Sequence, residues 1–139
     1  ETNTLGAVLK EVAQQYHVTL AGGEKKVVEV VDDPNPNAGS FYRSDQVNFA
    51  KIGVPALYID PGTKFVHAPK VDPGKYHEEH YHQLLDEVNE VWDLSGCERD
   101  MHILFQTALK VANAPEMPRW AEGNEFEEEW KALHSGAQE

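Results

Sequence analysis

A chain of 139 residues has room for one modest hydrophobic core and not for two independent domains. Its 24 Asp and Glu stand against 12 Lys and Arg, and the resulting net charge of −12 argues against nucleic acid and against an anionic membrane surface as partners. Cys97 is the one cysteine, which excludes an internal disulfide and a cysteine zinc knuckle, and no apolar run reaches the about eighteen residues of a membrane span.

The sequence opens at Glu1 without a Met and without a basic-then-apolar leader, which reads as a processed chain or a piece of a longer one. Leu5, Val8, Leu9, Val12, Ala13 and Tyr16 then recur at helical spacing and predict a helix over residues 4–16. Gly22-Gly23 breaks the chain, and the four valines within residues 25–31 predict a strand. Residues 32–40, rich in Asp, Pro, Asn and Gly, form a loop. Ser44 can cap a short helix through Phe49 and Lys51 that Gly53 ends. The apolar run 54–59, with Pro55 near its start, suits a strand buried on both faces of a parallel sheet.

Asp60-Pro61-Gly62 turns the chain into a long irregular segment reaching to Trp92. A long helix follows, opened by a Ser95-x-x-Glu98 capping box and stopped by Pro115 and Pro118. Its stripe of Leu94, Cys97, Met101, Leu104, Ala108 and Val111 is expected to pack on the sheet, with Cys97 in the core. An acidic stretch at 126–133 can form a surface helix. Helices alternating with strands point to an α/β layered fold, yet two strands make a poor sheet alone, so the chain reads as incomplete or paired with another.

The densest chemical cluster is Tyr76-His77-Glu78-Glu79-His80-Tyr81-His82, where imidazoles and carboxylates of the kind that bind zinc lie together. His77 and His80 are three apart, which fails the His-Glu-x-x-His spacing of helical zinc proteases. A solvated loop that binds nothing is the simpler reading of composition alone. Ser44 and Asp45 fall at a helix N-terminus, which favours anions, although a plain cap explains Ser44 equally well. Tyr42 can donate to a substrate carbonyl or merely pack. No Walker-type phosphate loop and no Gly-x-Ser-x-Gly elbow is present.

Three stretches taken together carry a family resemblance: Gly39-Ser40-Phe41-Tyr42-Arg43-Ser44-Asp45, Phe49-Ala50-Lys51, and Gly53-Val54-Pro55-Ala56-Leu57-Tyr58. With Tyr81-His82-Gln83-Leu84-Leu85-Asp86 and Trp92-Asp93-Leu94-Ser95-Gly96 after them, the chain from Asp32 to Phe126 resembles the di-zinc aminopeptidases of peptidase family twenty-eight. The resemblance implies a three-layer αβα sandwich with a mostly parallel sheet, of the zinc exopeptidase type. Residues 1–139 would be the C-terminal part of one catalytic domain, with 115–139 as a peripheral acidic tail.

It also implies two zinc ions sharing a carboxylate and a water, a Glu as general base, and release of N-terminal residues from a peptide substrate. By resemblance His82 is the last zinc ligand in chain order, Tyr42, Ser44 and Asp45 lie on the substrate side, and Asp86 orients the His82 loop. His77 and His80 match no family position. Members of this bacterial type are often exported, which implies an extracytoplasmic setting.

The departures are large. The family's remaining ligands and its catalytic Glu lie upstream of the Ser-Asp motif, and the forty-odd residues before Ser44 contain no His-x-Asp, no Asp-Asn-x-x-Gly and no Glu-Glu pair in those settings. Gln46 stands where many members have His, and Leu84-Leu85 where many have a Pro and a small residue. The expectation is therefore an inactive C-terminal fragment of a zinc aminopeptidase, with open sheet edges and an apolar face that could support a homodimer or a swapped assembly. Two other readings stand beside it: a non-catalytic interaction module of the same half-fold, and a single-site metal binder using His77, His80 and His82.

Overall fold

A computed structural model describes residues 2–62 and 64–135. Helix α1 (Thr4–Ala13) leads into a hairpin of β1 (His17–Thr19) and β2 (Lys25–Val27). Two 3-10 turns, Pro36–Ala38 and Ser40–Arg43, precede α2 (Gln46–Ala50). Three further helices follow, α3 (Pro73–Glu79), α4 (Ser95–Ala112) and α5 (Glu127–Ser135).

Asn3 starts α1 and anchors it. Its Oδ1 accepts from the Leu5 N–H at 3.0 Å, satisfying one donor left open at the helix start, and its Nδ2 donates to the Ala56 carbonyl at 2.8 Å. Its backbone forms an antiparallel bridge with Trp120, flanked by Thr4 N to Arg119 O at 3.0 Å and Ala121 N to Thr2 O at 2.9 Å. The apolar side of α1 then buries Leu9, Val12 and Ala13 against Ile103 of α4, with Val8, Tyr16, Val28, Val30 and Leu57 around them. Thr107 is also buried on α4, and its hydroxyl is satisfied by donating to the Ile103 carbonyl at 2.8 Å. At the rim, the Lys110 ammonium pairs with the Glu11 carboxylate.

The strands differ from expectation. Of the predicted strand 25–31 only Lys25–Val27 pairs, and it pairs antiparallel with β1, in register His17 to Val27 and Thr19 to Lys25. Gly23, at φ +82, turns the hairpin, closed by Leu20 N to Glu24 O at 2.8 Å. Val28, whose N–H still donates to the Tyr16 carbonyl at 2.9 Å, and Val30 pack on the core formed by α1 and Ile103. The predicted strand 54–59 runs without strand pairing among the described residues; it is held by Asn3 and by Leu57 in the core. A strand needs a neighbouring backbone for its N–H and C=O groups, and the apolar run alone does not supply one. The described residues therefore form a mixed α/β structure with a two-stranded antiparallel sheet, not the expected parallel sheet between two helical layers.

The long helix also turns differently. Ile103 and Thr107 are buried, Ile103 against α1, while Leu94, Cys97, Met101 and Leu104 of the predicted stripe are exposed, Met101 at 65 %, as is the neighbouring Phe105 at 61 %. Among the described residues no sheet covers that stripe, and the buried side of α4 faces α1 with Val28, Val30 and Leu57 beside it. Cys97 is accordingly exposed, not a core thiol. The Ser95–Glu98 capping box does not form: Leu94 occupies the N-cap position without a side-chain cap, the Glu98 N–H goes to its carbonyl at 2.9 Å, and Asp93 just before it accepts from the Ser95 N–H through Oδ1 at 3.0 Å. The Ser95 hydroxyl and N–H, in that order, hold the Asp93 carboxyl below its usual range.

A second core lies between α2 and α5, where Ala50, Trp120 and Phe126 are buried beside Phe41 and Trp130. The residues after Pro115, expected as a peripheral tail, thus supply two of its three buried side chains, while Glu127, Glu128 and Glu129 occupy the first turn of α5. The Trp120 indole donates to the Gly53 carbonyl at 3.2 Å, and the Trp130 indole to the Pro118 carbonyl at 2.8 Å. Gly53 ends α2 in the left-handed region at φ +88, and a Cβ there would lie 2.6 Å from the Glu129 carbonyl and the Trp130 nitrogen. Backbone conformation and close approach both demand glycine. Gly53→Ala is expected to lower unfolding stability by about 1–3 kcal/mol, read as a shift in the urea midpoint; an unshifted midpoint would show that α5 does not seat on Gly53.

Candidate functional site

The histidine-rich segment, expected as irregular loop, begins as helix. Asp72 caps α3, its Oδ1 accepting from the Lys75 N–H at 3.0 Å, and Pro73 occupies the first turn, where its missing N–H costs nothing. Tyr76 and His77 lie on α3, His80 just past its end, and Tyr81 and His82 in the turn that follows. Tyr76 and His80, four residues apart, stack with ring centroids at 4.6 Å. His77 stacks on Tyr81 at 4.5 Å, and Tyr81 on His82 at 3.9 Å.

His82 sits at φ +59, the one described non-glycine residue with positive φ. Its N–H donates to Asp86 Oδ2 at 3.2 Å, so Asp86 reaches the loop through the backbone of His82, not through the imidazole. The two ring nitrogens of His82 make no hydrogen bond among the described residues, and the imidazole fits as a single zinc donor. Among the described residues no group of three or more His, Cys, Asp or Glu side chains is placed to share a metal ion. One donor does not make a zinc site, and His77, His80 and His82 do not converge into one.

The other expected site residues flank α2. The Tyr42 hydroxyl donates to the Glu125 carboxylate, and the ring meets Phe41 edge-on at 5.6 Å. The expected Ser44 cap is not formed; Ser44 is extended, and its carbonyl accepts from the Val47 N–H at 3.3 Å. Asp45 stands at the start of α2 with helical φ and ψ and makes no side-chain cap. Gln46 instead ties the segment together, its Nε2 donating to the Phe41 carbonyl at 2.8 Å. The structure thus places Tyr42, Ser44 and Asp45 in one short stretch. No hydrogen bond, ion pair or ring contact joins that stretch to the His82 loop among the described residues.

Two contributors escaped sequence reasoning. Glu125, 83 positions from Tyr42, is brought to it by the second core. Trp92 donates its indole N–H to the Tyr76 hydroxyl at 3.0 Å, across sixteen positions. The i, i+4 spacing of Tyr76 and His80 was the only one of these signals present in the sequence.

The sequence model of one family, described as peptidase family M28, matches residues 4–106. That span takes in α1, the hairpin, the Tyr42–Asp45 stretch, the His82 loop and two-thirds of α4. No curated protein and no solved structure matches the chain.

Glu125 also sets the titration of Tyr42. Its hydrogen bond first, then burial, then its charge, raise the phenol above the ordinary tyrosine range. A raised value favours the protonated form in the folded state, so this contribution is full below the unfolded tyrosine range and is lost as pH climbs through that of Tyr42. In an ultraviolet titration of tyrosinate, Glu125→Gln is expected to move the most alkaline tyrosine downward; an unchanged curve would break the assigned pair.

Proposed function

Because the chain belongs to peptidase family M28, we propose that it forms the C-terminal part of a zinc-dependent aminopeptidase domain and is inactive by itself. In the intact domain His82 holds one zinc, Asp86 steadies the backbone that presents it, and Tyr42, Ser44 and Asp45 line the approach of the peptide. Bound zinc polarises a scissile carbonyl and activates water. The carboxylates that the family would need upstream have other roles or settings in this chain: Glu11 pairs with Lys110, while Glu24 and Glu29 are exposed on and after the hairpin turn.

The observation that carries the reading is the second face of α4. An eighteen-residue helix buries Ile103 and Thr107 on one side and leaves Leu94, Cys97, Met101, Leu104 and Phe105 uncovered on another. An apolar stripe of that kind is what a helix presents to a sheet in a layered domain. The run 54–59, unpaired among the described residues, is the matching feature on the strand side. Both support a three-layer sandwich whose central sheet is completed by further chain, and both fit the antiparallel hairpin being all the sheet that this stretch can make alone.

Two outcomes follow. The isolated chain is expected to release no amino acid from aminoacyl-coumarin substrates and to bind no zinc pair in calorimetry. The product of the complete reading frame is expected to do both, with its activity abolished by His82→Ala. Tight binding of two zinc ions by this chain alone would sink the fragment reading. The uncovered stripe is also expected to drive self-association, so light scattering should show an assembly larger than one chain that Met101→Glu shifts toward the monomer. A monomeric parent chain at high concentration would contradict that expectation.

A further inference from the structure

We infer that Tyr76, His80 and Trp92 form a brace that locks the turn carrying His82, which makes them positioning residues for that imidazole. The inference rests on the zinc reading only for what His82 does once it is positioned.

The reasoning starts from what does not hold the turn. Every residue from Tyr81 to Trp92 is exposed, Leu84 completely, so hydrophobic burial contributes little to its order. Yet the turn keeps a non-glycine residue, His82, at φ +59. Such a backbone persists only where its surroundings over-determine it. Polar bonds and ring stacks must therefore supply the constraint.

They form a continuous chain. The Trp92 indole N–H donates to the Tyr76 hydroxyl at 3.0 Å, and the two rings meet edge-to-face at 6.4 Å, tying the far end of the loop to α3. The other side of this link is the Tyr76 ring, which lies flat on His80, 5° from parallel. His80 Nδ1 lies 3.1 Å from the Leu85 carbonyl. A carbonyl can only accept, so Nδ1 carries the proton and closes a ring of backbone from His80 to Leu85. Inside that ring the Gln83 N–H returns to the His80 carbonyl at 2.8 Å. His82 is the middle of this closed turn. His80 is thus spent on shape, and the same contacts leave the imidazole of His82 free of hydrogen bonds.

Two variants separate the parts of the brace. His80→Phe keeps an aromatic stack on Tyr76 and removes the donor to Leu85, whereas His80→Asn restores an N–H near the place of Nδ1. In hydrogen exchange followed by nuclear magnetic resonance on the full chain, His80→Phe is expected to speed exchange of the His82 amide about tenfold, the scale of one net hydrogen bond, and His80→Asn to recover most of it. Tyr76→Phe, which deletes the acceptor for Trp92 alone, is expected to speed the same amide and to shift the Trp92 indole signal. Global melting should stay within a degree or two in all three, because the loop is exposed. Unchanged His82 exchange in both His80→Phe and Tyr76→Phe overturns the brace, as does failure of His80→Asn to recover protection.

A zinc chloride titration of the His82 imidazole nitrogen signals in the product of the complete reading frame, where the proposed function has the remaining zinc ligands supplied, separates the two ideas. If those signals respond no more than those of the other histidines while the His82 amide stays protected in a brace-dependent way, the zinc role fails and the brace stands. If they respond but exchange is indifferent to the variants, the brace fails and the zinc role stands.

Discussion

The fold depends on one buried amide. Asn3 is almost wholly enclosed, and each of its polar groups has a separate task. The oxygen opens α1, the nitrogen holds the Ala56 carbonyl, and the backbone bridges Trp120. Three regions that are far apart in sequence therefore meet at one residue. A buried amide left without partners costs more than a made hydrogen bond gains, so the three regions are bound to the same geometry. From that point the first core extends through α1 to α4, and the second through Trp120 to α2 and α5.

What Asn3 cannot supply is a sheet. The two cores hold α1 on α4 and α5 on α2, but among the described residues no layer covers the outer side of α4. The same deficit explains the hairpin, the solitary run 54–59 and the uncovered stripe. Each lacks a covering or pairing neighbour among the described residues. The chain's membership of peptidase family M28 is compatible with such a layered setting but does not by itself supply the missing layer.

The site follows a different rule from the cores. At Gly53 a close backbone approach decides the residue; at His82 a strained backbone is held on the surface by hydrogen bonds and stacked rings. Tyr42 belongs to the first kind, since the second core brings Glu125 to its hydroxyl. The His82 turn belongs to the second and owes its order to residues within sixteen positions of one another.

Much was legible from the chain by itself, because the signals were local. The apolar spacing of Leu9, Val12 and Ala13 determined α1 and its buried face, Gly53 marked the end of α2, and the prolines after α4 marked its end. The motifs around Ser44 and His82 pointed to the family whose model matches residues 4–106. Tertiary structure decided the rest. Which face of α4 is buried depended on the partner available, and α1 took Ile103 where the periodicity pointed to Met101 and Leu104. Whether residues 54–59 are a strand depended on a second backbone that their own composition cannot provide. The identity of the α4 cap, the pairing of Tyr42 with Glu125 and the brace beneath His82 were decided in the same way, because each joins groups whose proximity exists only once the chain has folded.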